Sequence, residues 1–316
     1  MKILTLNQAS LITKLAVTKL AQYLKKNGLH HIVLGISGGL DSAVMAAIGL
    51  RAIKLLKTQG YECGYTFDFI GIESNPNDLK KARILAQELG FELNEYDYTD
   101  WYRQSPIRQN EHHNSPRLRV ANGNLKCRIR LLHLYDRAQL LGGIVLDTDD
   151  LSELLMGFWT KHGDVGDVKV IQYLTKEEVR DLGEILDIPA VILESAPGDG
   201  LGVTDTNQAK DQLKMDYLKT DYVMSRLIGS GLDYNGETSQ LSSHFLVGVI
   251  NQIASEIHEP TENVFHVARQ SLKTAFKRKY GDDVAILLED RKEMGLPELG
   301  YLSFNEIYLE AITRSN

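Results

Sequence analysis

Leu11, Ile12, Leu15, Ala16, Leu20, Tyr23 and Leu24 recur at three- and four-residue steps, and Gly28 follows the run. That spacing predicts one apolar helix face closed by a glycine. The pattern then turns continuously apolar. Ile32-Val33-Leu34-Gly35-Ile36 leaves no polar position for a solvent face and predicts a strand covered on both sides. The Ala-rich run at 43–48 predicts a helix reaching about Leu56, and Phe67-Asp68-Phe69-Ile70-Gly71-Ile72 a second strand. Residues 77–89 read as a helix opened by Asn75-Pro76 and stopped by Gly90, and residues 91–96 alternate as a short strand.

Residues 100–124 carry Trp101, two prolines, two histidines and several Asn and Arg, and read as a long active-site loop or an inserted helix-loop. A helix from Leu125 to about Leu141 and a strand at 143–146 follow, with Asn124 suited to cap that helix. The helix at 175–186 opens with a capping box, Thr175 and Glu178. Glu194-Ser195-Ala196 reads as the end of a strand, 198–208 as a mobile Gly/Asp/Thr-rich loop, and everything after about Asp211 as helical. Strands alternating with helices predict an α/β protein: a doubly wound, open parallel sheet with helices on both faces and a helical C-terminal part. Ligands in such sheets bind beyond the carboxyl ends of the strands.

Composition narrows the class without choosing the chemistry. The chain has 316 residues, 43% hydrophobic and 24% charged, which suits an ordinary globular protein. A net charge of −7 argues against a nucleic-acid partner, and Lys277-Arg278-Lys279 reads as a solvated helix end. The two cysteines, Cys63 and Cys127, form no CxxC, so neither a zinc site nor a disulfide framework is expected. Met1–Thr5 lead into an amphipathic pattern, and no apolar run reaches the roughly 18 residues of a membrane span. The expectation is a cytoplasmic protein with no membrane partner.

The chemistry begins where the first strand meets its helix. Ser37-Gly38-Gly39-Leu40-Asp41-Ser42 lies between them, an arrangement that aims backbone N–H groups and a helix dipole at an anion. Gly38 and Gly39 allow close backbone approach, Ser37 and Ser42 offer hydroxyls, and Asp41 offers a carboxylate for Mg²⁺. Neither a Walker A loop nor a dinucleotide fingerprint is present. The six residues resemble the PP-loop of the ATP pyrophosphatases. Further on, Gly123–Arg130, the stretch from Ser152 to Asp164, Leu174-Thr175-Lys176 and residues 204–222 each combine charged, hydroxyl and aromatic residues.

Taken together, SGGLDS, GNLKCRIR, SELLMGFWTKHGD, LTK and TDTNQAKDQLKMDYLKTDY resemble the ammonia-dependent NAD synthetases over roughly residues 10 to 280. The resemblance implies an adenine nucleotide alpha hydrolase-like domain at 1–280, a C-terminal extension at 281–316, and a homodimer; helices 9–27 and 126–141 are candidate interface surfaces. It implies adenylation of the deamido-NAD carboxylate by ATP and displacement of AMP by ammonia. Asp41 and Glu153 would hold Mg²⁺ and, with Lys176, form the catalytic set. Gly35, Ser37, Gly38, Gly39, Ser42, Arg128, Thr148, Lys176 and Ser195 would bind ATP. Asn124, Arg130, Lys161, Asp164 and Asp167 would surround deamido-NAD, and the 198–208 segment would serve as a lid.

Several positions depart from the family pattern. Asp147 stands where the family has glycine, placing an extra acid near the nucleotide, and Cys127 replaces a small alanine as a buried thiol. Lys210 or Asp211 occupies the neighbourhood of a family glutamate, and Lys214 replaces a glycine. Residues beyond Tyr280 run past the usual Lys-Arg end and receive no function. The alternatives are a PP-loop amidase acting on nicotinate mononucleotide or another acid, and a non-catalytic nucleotide-binding relative. Neither cysteine sits in a nucleophile context, so free ammonia, or ammonia from a separate partner, is the expected nitrogen source.

Overall fold

The continuous apolar run at 32–34 becomes the fully buried middle of β1 (His31–Gly35). The computed structural model describes residues 2–108, 115–198, 200–206, 208–278 and 285–315. In chain order these form α1 (Leu6–Lys26), β1, α2 (Leu40–Thr58), β2 (Gly64–Gly71), α3 (Pro76–Leu89), β3 (Leu93–Asp97), α4 (Thr99–Gln104) and α5 (Pro116–Leu141). There follow β4 (Ile144–Val145), α6 (Leu151–Met156), β5 (Val168–Lys169), α7 (Lys176–Ile185), α8 (Ala190–Leu193), α9 (Ala209–Leu213) and α10 (Tyr217–Gly229). The last elements are α11 (His244–Glu256), α12 (Thr261–Lys273), α13 (Ala275–Arg278), β6 (Ala285–Ile286) and α14 (Leu302–Ser315).

The strands stand in the order β3-β2-β1-β4, all parallel. A parallel bridge from Leu146 to Val168 carries the sheet on to β5, which pairs with β6. The chain winds outward from β1 to β3 and then returns to the other side of β1. The crevice between β1 and β4 is therefore the switch point where such sheets take ligands. Both faces are covered as expected: α2 packs Ala43 and Met45 against Leu34 and Phe67, while Leu134 and Ala138 of α5 pack against Val33 and Val145. A second core joins α6 to α9–α12 and α14 through Leu155, Met224, Ile253, Val267 and Phe304. No helix among the described residues is long and apolar enough to cross a membrane.

Three local expectations are corrected. α5 starts at Pro116, capped by Ser115, so Asn124 lies in its interior and caps nothing. Gly123-Asn124 imitates a helix start; in fact a Cβ at Gly123 would stand 3.0 Å from Leu201 Cβ, so glycine admits the distant 200–206 segment to the helix flank. The stretch before Ser195 is one helical turn and not a strand, with the Ile192 N–H on the Pro189 carbonyl at 2.8 Å. After Asp211 the described residues are not helical throughout: turns and irregular chain at 214–216, 230–237 and 257–260 separate the helices, and 285–301 holds β6 and turns. Residues 109–114 of the expected 100–124 loop, Asp199 and Asn207 of the expected 198–208 loop, Lys279, and 281–284 lie outside the described residues.

Candidate active site

β1 ends at Gly35, and the chain turns through Ile36–Gly39 into α2 with no side chain capping the first turn. Those N–H groups are left for an anion. The serines hold the turn together: Ser37 Oγ lies 3.1 Å from Ser42 Oγ and accepts the Gly39 N–H at 3.1 Å. Gly38 has φ +81°, and a Cβ there would sit 2.3 Å from the Asp78 carbonyl oxygen. Its glycine is thus demanded by the approach of α3 as well as by the turn. Gly39, facing the cleft, is the one left to meet a ligand.

Lys176 stands at the first position of α7, behind the capping box of Thr175 and Glu178. Its Nζ is 2.9 Å from Asp41 Oδ2, 2.9 Å from Asp150 Oδ2 and 2.9 Å from Glu153 Oε1. It also lies 5.4 Å from the centre of the Tyr217 ring. Burial works against the ammonium, but Asp150, Asp41 and Glu153 outweigh it and raise the pKa well above the usual value. Burial pushes the carboxyl of Glu153 well up and that of Asp150 to about 6.

Three carboxylates about one ammonium leave an excess of negative charge, and Asp41 Oδ1 is buried without a hydrogen-bond partner. An unpaired buried carboxylate oxygen is costly unless a cation or donor reaches it. Asp41 and Glu153 therefore fit magnesium, which takes one or two carboxylates and fills its remaining positions with water and substrate phosphates. Among the described residues no three His, Cys, Asp or Glu side chains converge as an all-protein metal cage.

These groups open on a cleft of about 840 Å³ at the carboxyl ends of β1, β2 and β4. Gly35, Ser37, Gly39, Asp41, Ser42, Asn124, Arg130, Thr148, Glu153, Asp164, Lys176 and Ser195 all line it. Arg130 donates to the Ile70 carbonyl at 3.1 Å, and Asn124 Oδ1 accepts from Thr160 Oγ1 at 2.8 Å. Asp164 accepts the Thr160 N–H at 2.6 Å, and burial, aided by Asp149, pushes its carboxyl to about 7. Gly38, Arg128, Lys161 and Asp167 lie outside that lining. Arg128 is exposed and donates to the Lys161 carbonyl at 3.3 Å. Asp167 is committed to the scaffold, accepting from Tyr135 Oη at 2.9 Å and from the Val145 N–H at 2.9 Å.

Two expectations about charge are overturned. Asp147 does not face the nucleotide cleft: it accepts the Asp149 N–H at 2.7 Å and the Gly166 N–H at 2.7 Å, with Lys169 Nζ at 3.6 Å. Nor are Lys277 and Arg278 a solvated helix end. Lys277 Nζ donates to the Gly157 carbonyl at 2.5 Å, and Arg278 donates to the carbonyls of Leu154 and Leu155, both at 3.1 Å. They satisfy the open C-terminal end of α6, which carries Glu153. Cys127 is buried as expected, its thiol pushed up to about 12 chiefly by burial.

Asp150 caps α6 by accepting the Glu153 N–H at 2.8 Å and also faces Lys176. Tyr217 and Lys169, whose Nζ donates to Asp149 Oδ2 at 2.9 Å, went unread. Tyr217 lies within the 204–222 stretch without a role of its own there, and Lys169 meets Asp149 only through the placing of β5.

A parallel sheet carrying Ser-Gly-Gly-Leu-Asp-Ser after its first strand, with a lysine and acids closing the crevice, defines an α/β protein of the PP-loop class. The family model described as NAD synthase matches residues 12–280. The chain is 30% identical over 248 residues to the NH(3)-dependent NAD(+) synthetase of Methanococcoides burtonii, covering 75% of this chain and 88% of that protein. It is 32% identical to that of Thermoplasma acidophilum, covering 68% and 85%. Among solved structures, NMN synthetase from Francisella tularensis superposes with a TM-score of 0.61 at 25% identity, covering 79% of this chain and 94% of that one. NH3-dependent NAD synthetase from Campylobacter jejuni shares the fold with a TM-score of 0.56 at 23% identity, covering 82% and 96%. The chain belongs to the NAD synthase family.

Proposed function

We propose that the protein amidates deamido-NAD to NAD with ATP and ammonia, by way of an adenylated carboxylate. The observation that carries this reading is Lys176 between Asp41, Asp150 and Glu153, at the mouth of an uncapped helix N-terminus. Attack of a carboxylate on the α-phosphorus brings two anions together and sheds pyrophosphate, so fixed positive charge must stand where negative charge develops. Lys176 keeps its proton in this setting and faces the phosphates with the loop N–H groups. Asp41 and Glu153 would hold magnesium, which when bound neutralises charge on the departing pyrophosphate.

Ammonia then attacks the acyl carbon; the carbon–nitrogen bond forms, the carbon–oxygen bond to AMP breaks, and the nitrogen sheds a proton. Asp149, pushed to about 7 by burial and Asp147, and Asp164, also raised to about 7, line the cleft with carboxylates able to accept it. The Gly/Asp-rich segment around 200–206 borders the cleft and would exclude water from the adenylate. A homodimer fits the exposed apolar residues Val120, Leu132 and Leu140 on α5. A reducing cytoplasm fits two unpaired thiols.

The Francisella tularensis NMN synthetase match favours one rival, nicotinate mononucleotide as the acid. Turnover with Mg-ATP and ammonium on each acid tests both. Faster NAD formation, in step with AMP and pyrophosphate, is expected. Faster amidation of the mononucleotide overturns the substrate, and no amide from either acid overturns the reaction.

A further inference from the structure

The family model ends at residue 280, yet the residues beyond it reach the helix that presents Lys176. Arg291 donates to Glu178 Oε1 at 2.7 Å and Oε2 at 2.9 Å, to the Tyr173 carbonyl at 2.7 Å and to the Pro297 carbonyl at 2.8 Å. Both partners are buried, with side chains only 4% and 1% exposed. Glu178 Oε2 meanwhile accepts the Thr175 N–H at 2.9 Å, so the guanidinium orients the carboxylate of the capping box. The Tyr308 hydroxyl bonds Oγ1 of Thr175, the other half of that box. Both atoms that cap α7 are thus held by one segment.

The segment is itself anchored at several points. Tyr308 stacks on Phe304 with ring centres 4.2 Å apart. Gly300 N donates to Ser225 Oγ at 2.8 Å, and a Cβ on Gly229 would fall 2.3 Å from the Gly300 oxygen, so the strap crosses α10 backbone to backbone. α10 also supplies Tyr217, beneath Lys176, and Asp221, which accepts from Ser152 Oγ at 2.9 Å. Ser152 Oγ in turn accepts the Lys176 N–H at 2.9 Å. Lys176 is therefore fixed from its backbone, from its cap and from its ring neighbour.

We infer that residues 285–315 form a strap whose Arg291 and Tyr308 are positioning residues for Lys176, acting through Glu178 and Thr175. A guanidinium bonded to a carboxylate through two parallel contacts sets orientation as well as charge. A displacement of about an ångström at a charge-stabilising group costs on the order of a hundredfold in rate. The inference rests on the nucleotide-binding part of the proposed function and not on which acid is used.

The test compares Arg291→Met, Arg291→Lys and Tyr308→Phe in the full chain. Readouts are Tm, calorimetric affinity for ATP without acid substrate, and the kcat and KM of AMP formation. Tyr308→Phe keeps the stacked ring and removes one hydroxyl, so it decides the matter if Arg291→Met does not fold. The strap predicts at least tenfold weaker ATP binding and tenfold lower kcat in Arg291→Met and Tyr308→Phe. The ammonium KM stays unchanged, and Arg291→Lys recovers part of the loss. Wild-type ATP affinity and kcat beside a lowered Tm would reduce the strap to a stabilising element and overturn the inference. If wild-type protein binds ATP but makes no amide, the proposed reaction fails while the binding comparison still decides the strap.

Discussion

At Lys176 a single ammonium faces Asp41, Asp150 and Glu153 at 2.9 Å each, and only Asp150 is committed elsewhere, through the Glu153 N–H. Asp41 and Glu153 are thus the pair available to a divalent cation. In the proposed reaction either carboxylate would act on developing charge through the magnesium it holds, so Asp41→Ala or Glu153→Ala should lower kcat for AMP formation by about a hundred- to a thousandfold. The far-UV spectrum and Tm should stay near wild type, because one missing carboxylate still leaves Lys176 two partners. Near-native turnover in either variant, measured at saturating Mg-ATP, contradicts the assignment. These residues were legible from their motifs. Lys169 and Tyr217 were not, because their contacts depend on how β5 and α10 pack.

Among the elements, α3 and α7 were read nearly to the residue, because Asn75-Pro76, Gly90 and the Thr175–Glu178 box act locally. α5 was cut short for the converse reason: Gly123-Asn124 carries a helix-start signal that tertiary packing against Leu201 overrides. The departure at Lys214 also has a local account. It closes α9 with φ +69°, its N–H on the Lys210 carbonyl at 2.7 Å, a left-handed position where glycine costs least. Lys214→Gly should raise stability by about 1 kcal/mol. Denaturant unfolding checks it; a lower midpoint would mean that the lysine side chain contributes more than its backbone strain costs.

The whole molecule concentrates buried acid around one crevice. Burial raises the carboxyls of Asp147 and Asp150 to about 6, and those of Asp149 and Asp164 to about 7. Each lies above its unfolded value of about 4, so the folded state binds more protons across that window and stability falls as the pH rises through it. Lys176 is shifted upward too, but its contribution is lost only in alkaline solution above its unfolded value. The ligand-free protein should therefore show a higher Tm at about pH 5.5 than at about pH 8, and the reverse order would contradict the burial of these acids. Strand–helix alternation announced the parallel sheet. The pairing of β5 with β6 was hidden, since two-residue strands carry no period and their partners stand more than a hundred residues apart.

The measurement that bears most directly on the reaction follows a heavy-oxygen label placed in the carboxylate of deamido-NAD through turnover with Mg-ATP and ammonium. Adenylation followed by displacement transfers one labelled oxygen to the phosphate of AMP, with NAD, AMP and pyrophosphate formed in equal amounts. Unlabelled AMP, or ADP and phosphate in place of AMP and pyrophosphate, would contradict the account.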